Sequence, residues 1–458
     1  MAAPMKRVVE NNDSYENSDV KKSTIKSELN ELNNFIAWSS KNDFQLTDKV
    51  VVTKEGSCAQ FGMLATDDIS KGEVLFQIPR KCLLTPDNCA LADCYKKDKD
   101  LIQCSSGWVP LLLSLMYEYN NPSSFWRPYL DLVPDFKQLD LPMFWSSKER
   151  DTLLQGTGVN DAVNTDLQNI ENEFTSIVLP YIEKHNDKFS PVCKDIEFYK
   201  KMVAFVMSYS FTENSSNDNT DEIDDGEEVK KAPPMMVPMA DILNHVAKNN
   251  ACLNFEKESL KMVAVEDIKK GDEVFNTYGE LANLHLLHMY GFAEKYPNNH
   301  WDTVQVFITD IMNASKILKF NVDSLLEKKQ TAVNELFGDN GSIIINDSGV
   351  LEEEELKIVL KICCAESNES LQDVLNDEWE SDDEEEFDFD FNSSTTFPQN
   401  WRLILHKSAE MSLSRYKTSL EEDETSLSNS FIPSRHLYSL YTTHGQKKIL
   451  QKMLTSYV

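Results

Sequence analysis

The chain has 458 residues, of which 45 are Lys or Arg and 76 are Asp or Glu, for a formal charge of −31 at pH 7. That length, at ~100–200 residues per domain, excludes a mini-scaffold stapled by disulfides, and the charge is the wrong sign for gripping nucleic-acid phosphates over a broad face. No apolar stretch approaches the ~18–20 residues of a membrane span, and the opening MAAPMKRVVENNDSYENS lacks the apolar core of a signal peptide, so a soluble intracellular protein is expected, with neither a membrane nor a direct nucleic-acid partner.

Residues 1–27 are polar and without period and read as a disordered tail. From Glu28, Leu29, Leu32, Phe35, Ile36 and Trp38 recur near helical spacing and predict a short amphipathic helix. Between Val50 and Leu84, short β-branched and aromatic runs broken at Gly56, Gly62, Gly72 and Pro79 predict a small antiparallel β unit. Its segment 65–76 (ATDDISKGEVLF) recurs as 264–275 (AVEDIKKGDEVF), identical at six of twelve positions, and each copy reads as strand, turn, strand. The Lys-Gly step supplies a glycine where φ must be positive, and Ile69 or Ile268 pins the turn to the core. Two unrelated hairpins of like composition would leave the same pattern.

Between the copies lies a helical insert, about 100–212: 108–119 (WVPLLLSLMYEY) is apolar on nearly every face, and 159–185 and 195–211 carry helical period. An acidic, Asn/Ser-rich segment, 213–231, then reads as a mobile loop. Beyond Tyr296, helical patterns at 303–337, 351–364, 401–420 and 436–456 predict an all-α domain over 297–458, interrupted by an acidic loop, 377–392, with Trp379, Phe387 and Phe389 as candidate anchors. Runs 218–228 and 377–390 hold seven and ten acidic residues, so the remainder is only mildly acidic.

The nine cysteines include no C-x-x-C pair, and an odd total suits reduced thiols rather than a disulfide framework; no metal site is expected. His285 and His288 share a helical face without a carboxylate or thiol companion, which favours a core or capping role for His285. No G-x-S-x-G elbow, phosphate loop, G-x-G-x-x-G or H-E-x-x-H occurs, which removes the common hydrolase, NTPase and zinc-protease readings. The densest chemistry is in 236–245 (MVPMADILNH), 275–279 (FNTYG) and 288–292 (HMYGF), which gather amide, imidazole and phenol groups at strand ends. Taken singly, Asn244-His245 reads equally as a capped turn, and Tyr278-Gly279 as a buried tyrosine at a bend.

Taken in order, SCAQFGMLATDDISKGEVLF, the Asn244-His245 pair, GDEVFNTYG and HMYGF resemble the SET domain of S-adenosylmethionine-dependent protein lysine methyltransferases. The insert motifs SGWVPLLLSLMYE, SFWRPYLDLVPDF, PMFW and LLQGTG resemble the branch typified by the Rubisco large-subunit methyltransferase. The resemblance is strong over about 35–296 and weaker beyond, and it lacks the cysteine-rich zinc flanks of other SET branches. It implies an α+β fold: a β-rich SET domain over 28–296, split by the helical insert and followed by an all-α C-terminal substrate-binding domain. It further implies methyl transfer from S-adenosylmethionine to the ε-amine of a lysine in a protein substrate, a nuclear, chromatin- or transcription-associated protein, with the enzyme in the nucleus and also in the cytoplasm; the charge of runs 218–228 and 377–390 would steer a basic segment around that lysine to the enzyme.

Such a reaction needs two aligned reactants, exclusion of water and a deprotonated amine of ordinary pKa ~10.4. By this resemblance Tyr278 is the catalytic residue. Ala59, Gln60, Phe61, Gly62, Tyr209, Asn244, His245 and Tyr290 bind the cofactor, while Trp108, Ser210, Thr212 and His288 line the substrate groove. Two other readings are a methyltransferase directed at histidine and an inactive SET scaffold serving as a binding module; the intact FNTYG and Asn-His pair argue against the second.

Overall fold

The apolar runs around Val50–Leu84 and their later copy form two four-stranded sheets. The computed structural model describes residues 18–59, 61–104, 106–133, 139–213, 232–320, 323–376, 389–391 and 397–457. In the first sheet β1 (Gln45–Leu46) lies beside β4 (Val74–Pro79), which pairs with β9 (Ser259–Ala264), itself the hairpin partner of β8 (Ala251–Phe255). In the second, β2 (Val50–Thr53) pairs with β3 (Gly62–Ala65), β3 with β10 (Glu273–Asn276), and β10 runs parallel to β7 (Asn244–His245). A two-stranded ribbon, β5 (Ser210–Phe211) with β6 (Met235–Met236), lies outside these sheets.

The repeated segments do not close on themselves, and the expectation of two hairpins is corrected. Each copy sends one strand to each sheet and pairs with the other copy, so β3 meets β10 and β4 meets β9. The exchange is reciprocal. Ile69 and Ile268 donate to each other's carbonyls at 2.9 Å, and Gly72 N–H to Ala264 O and Gly271 N–H to Ala65 O are both 2.8 Å. Lys71 N–H to Asp267 Oδ1 is 2.9 Å, matched by Lys270 N–H to Asp68 Oδ1 at 3.0 Å. Gly72 (φ +89°) and Gly271 (φ +91°) occupy the conformation expected of them. Both isoleucines are 2% exposed, so the two turns share one apolar contact and a local repeat becomes a pseudo-two-fold core.

The helix before the sheets spans Ser18–Lys41 and so begins ten residues ahead of Glu28. Extending an existing helix fixes one residue per added bond and needs no new nucleus, so a polar segment without apolar period still joins it. Its apolar stripe packs Phe35 against Tyr129 and Trp38 against Phe44 and Phe125. In the insert, Val109–Asn120 is buried on nearly all sides with Pro110 in its first turn, where no N–H is needed. The pattern at 159–185 is one helical run from Val159 to Lys184 that widens to π geometry over Phe174–Val178, just ahead of Pro180. A proline ring clashes with the carbonyl four residues back, and a wider turn relieves that clash. The helix Ile196–Tyr209 starts at Asp195, whose side chain accepts from Glu197 N–H.

The chain divides into two compact units, 1–144 with 163–279, and 145–162 with 280–458. The second unit is helical, with helices including Glu353–Cys364, Gln399–Leu413 and Ser434–Ser456. It is not wholly so: β11 (Thr303–Phe307) and β12 (Ser342–Asn346) form an antiparallel ribbon where a helical pattern was read from residue 303. Thr-Val-Gln-Val-Phe buries alternate residues, the period of a strand. The passage to this unit falls at Glu280 rather than after Tyr296. Asn283 explains the earlier boundary: it donates to both oxygens of Asp302 and exchanges bonds with the backbone of Glu294, which ties 280–302 together. Phe389 is fully buried in the core of this unit, as an anchor should be. Residues 1–17, most of the two acidic loops including Trp379 and Phe387, and Gln60 lie outside the described residues.

Candidate active site

The site grows from the ends of β3, β7 and β10. Parallel pairing sets Asn244 opposite Phe275 and His245 opposite Asn276, so the Asn-His pair lies beside the strand that leads to Tyr278. Asn244 is 5% exposed, and its Nδ2 donates to Phe61 O at 2.9 Å and to Glu273 Oε1 at 2.7 Å. His245 Nδ1 accepts from Tyr278 N–H at 3.0 Å, and the two rings stack with centroids 5.1 Å apart. The Tyr278 hydroxyl donates to Leu243 O at 3.1 Å. A phenol held at backbone, ring and hydroxyl has little rotamer freedom left to lose when a substrate arrives.

The loop before β3 is folded onto the same residues. Ser57 Oγ donates to Ala59 O at 2.7 Å, and Cys58 N–H donates to Glu273 Oε2 at 2.7 Å. At Gly62 an added Cβ would sit 2.5 Å from Glu273 Oε1 and 2.6 Å from Ser57 Cβ, so glycine is required there for close approach rather than for φ. Phe61 carries Lys54 Nζ 4.6 Å from its ring centroid. The turn 240–242, which leads into β7, is anchored by Asp241: this buried carboxylate accepts from the buried Tyr129 hydroxyl, and burial pushes it up to about 7. The same burial, with Asp241 alongside and Tyr209 further off, raises the Tyr129 phenol.

Phe61, Gly62, Asn244, His245 and Tyr278 are thus brought together by hydrogen bonds, strand pairing or close approach, and Ala59 joins them through Ser57. Tyr209 ends its helix against Phe205, and Ser210 pairs with Met236, so the end of the insert meets the strand that runs on toward Asn244. Trp108 is half-buried at the head of the helix Val109–Asn120, and Thr212 is exposed; no hydrogen bond among the described residues joins either to Tyr278. His288 and Tyr290 lie in the second unit, on the helix Asn283–Tyr290 that ends at Gly291 (φ +74°). Burial raises the Tyr290 phenol to about 12, and burial with nearby His288 lowers His285, which suits a neutral packed imidazole.

Sequence reasoning missed Glu273, Ser57, the Leu243 carbonyl and the Asp241–Tyr129 pair. One signal was available for the first: in the aligned repeat Glu273 stands where the first copy has Val74, a carboxylate at an apolar position within a strand pattern. Among the described residues no cluster of His, Cys, Asp or Glu could hold a metal ion, and no helix is long and apolar enough to cross a membrane. Cys82 and Cys193 are buried thiols, and burial pushes both up to about 11, which makes them poor nucleophiles.

The SET domain family model matches residues 60–279, the stretch that holds most of this geometry. The N-lysine methyltransferase setd6 of Xenopus laevis is 42% identical over 430 residues, which span 92% of this chain and 94% of that protein. A structure of the SET domain of LSMT bound to lysine and AdoHcy superposes with a TM-score of 0.64 at 19% identity, covering 93% of this chain and 90% of that one. Rubisco LSMT bound to AdoMet gives 0.63 at 19%, with 93% and 91% covered.

Proposed function

This chain belongs to the setd6 family of SET-domain N-lysine methyltransferases, and from that premise we propose that it transfers a methyl group from S-adenosylmethionine to the ε-amine of a lysine in a protein substrate, with Tyr278 as the catalytic residue. The observation that carries this reading is the convergence of Tyr278, Asn244, His245, Cys58, Phe61 and Gly62 on adjoining strand ends, with the phenol already oriented by Leu243 O. Glu273, Ser57 and Asn244 pack against Gly62 so closely that no Cβ fits, and the backbone this fixes beside Asn244 is the feature that suits a bound cofactor.

In this reading Ala59, Gln60, Phe61 and Gly62 supply backbone along the cofactor, and Asn244, His245 and Tyr209 hold its polar and aromatic parts. When bound, S-adenosylmethionine supplies an electrophilic methyl on a sulfonium. The chain's own task is positional. Tyr278 spends its proton on Leu243 O and turns its oxygen lone pairs to the incoming amine, which must arrive neutral to attack. Carbonyl and phenol oxygens at the strand ends accept the amine's N–H bonds and align it without competing as nucleophiles. Trp108, Ser210 and Thr212 line the lysine groove, and the helical C-terminal region serves the protein substrate.

The finer assignment is a lysine within a basic segment of a nuclear, chromatin- or transcription-associated protein, and the formal charge of −31 supports it by attracting cations. Transfer of labelled methyl from the cofactor to lysine-only and histidine-only peptides tests the reading. Label on lysine alone is expected; label on histidine alone, or on neither, overturns it.

A further inference from the structure

The pseudo-two-fold repeat makes one exception visible. The position equivalent to Val74 in the first copy is Glu273 in the second. Val74 is 46% exposed while Glu273 is 7% exposed, so the pattern is inverted, with the apolar residue outside and the carboxylate inside. Sequences break their own local rules chiefly where function requires it. Both Glu273 oxygens accept charge-assisted hydrogen bonds, Oε2 from Cys58 N–H and Oε1 from Asn244 Nδ2, each at 2.7 Å. Gly62, between those partners, leaves room for that carboxylate.

We propose that Glu273 is a positioning residue for the cofactor: its carboxylate ties the Cys58 backbone, ahead of β3, to Asn244, so that two separate binding elements act as one preorganised unit. The proposal rests on the reading that S-adenosylmethionine binds along this loop and Asn244. Both partners are donors, so an acceptor-only group is needed. A glutamine of the same shape must turn its NH2 toward either Cys58 N–H or Asn244 Nδ2. If Asn244 flips to meet it, its oxygen then faces Phe61 O, and one bond is lost in either case. An alanine loses both: Asn244 Nδ2 keeps Phe61 O as its acceptor, and neither Asn244 nor Cys58 N–H keeps its bond to the carboxylate.

The test is calorimetric titration of the full chain with S-adenosylmethionine. Glu273→Gln is expected to raise Kd about tenfold, as expected for the loss of one charge-assisted bond, and Glu273→Ala to raise it further. KM for the cofactor should rise with kcat at saturation retained, a split that general loss of structure does not produce. Combined with Asn244→Ala, Glu273→Gln should add less than its separate effect, because the partner it positions is gone. Gly62→Ala, which presses a methyl onto the same carboxylate while leaving it charged, should also weaken binding and serves if Glu273→Gln fails to fold. Wild-type Kd in Glu273→Gln and Gly62→Ala, or full additivity with Asn244→Ala, would overturn the proposal alone. Absence of S-adenosylmethionine binding by the wild-type chain would overturn the functional reading and this inference together.

Discussion

Two side chains concentrate the chemistry at the scale of single residues. Tyr278→Phe removes one oxygen and leaves the ring stacked on His245, so folding and cofactor binding should persist while methyl transfer falls by about a hundredfold or more, measured as single-turnover label transfer. Asp241 is a stability element with a pH signature. Its carboxyl is held at about 7 in the fold by burial, against an ordinary value of about 3.9 when unfolded, so between those values the native state keeps a proton that the unfolded state has lost. Stability from this group is therefore greatest at low pH and is lost as pH rises through about 7. Tyr129 faces it directly, with Tyr209 acting on Tyr129 from the insert helix. Asp241→Asn keeps an acceptor for Tyr129 and removes the titration. Denaturant midpoints at pH 5 and pH 8 should lie closer together in this variant than in the wild type, and an unchanged gap would assign the slope elsewhere.

At the scale of elements, the exchanged repeat decides which residues matter. Gly72 and Gly271 have open space where a Cβ would go, so alanine at either costs only the positive φ, about 1–2 kcal/mol. Because the two turns bond reciprocally, Gly72→Ala and Gly271→Ala should lower the urea midpoint by similar amounts; a large inequality would mean that the turns are energetically independent. Gly445 is a contrasting case: a Cβ there would collide with Asp302, the carboxylate that holds Asn283. The repeat was readable as twelve aligned residues, but its pairing was not. Hairpin and exchanged partners satisfy the same backbone groups and bury the same isoleucines, so periodicity cannot choose between them. The ribbon of β11 and β12 was missed for a related reason: its five-residue alternation at 303–307 was absorbed into the helical pattern read on from it.

For the whole molecule, cofactor linkage and charge give the measurable consequences. S-adenosylmethionine, binding only the folded chain, should raise Tm with concentration, and Asn244→Ala should abolish most of that shift; an undiminished shift would move the cofactor elsewhere. The acidic runs 218–228 and 377–390 carry 17 negative charges between them. Replacing these with Asn and Gln should raise KM for a basic lysine peptide and weaken its salt dependence, leaving kcat unchanged; equal KM values at low and physiological salt would sink the steering idea. The sequence by itself determined the SET resemblance and the alternation of β and helical segments, and it singled out Asn244, His245 and Tyr278 as candidates, because chemistry at strand ends demands particular side chains in a particular order. Only the tertiary structure decided that the repeats exchange strands, that Leu243 O orients the phenol and that Glu273 joins the loop to Asn244. Those depend on backbone groups and on contacts between residues 215 and 29 positions apart in the chain, and neither leaves a periodic mark in a sequence.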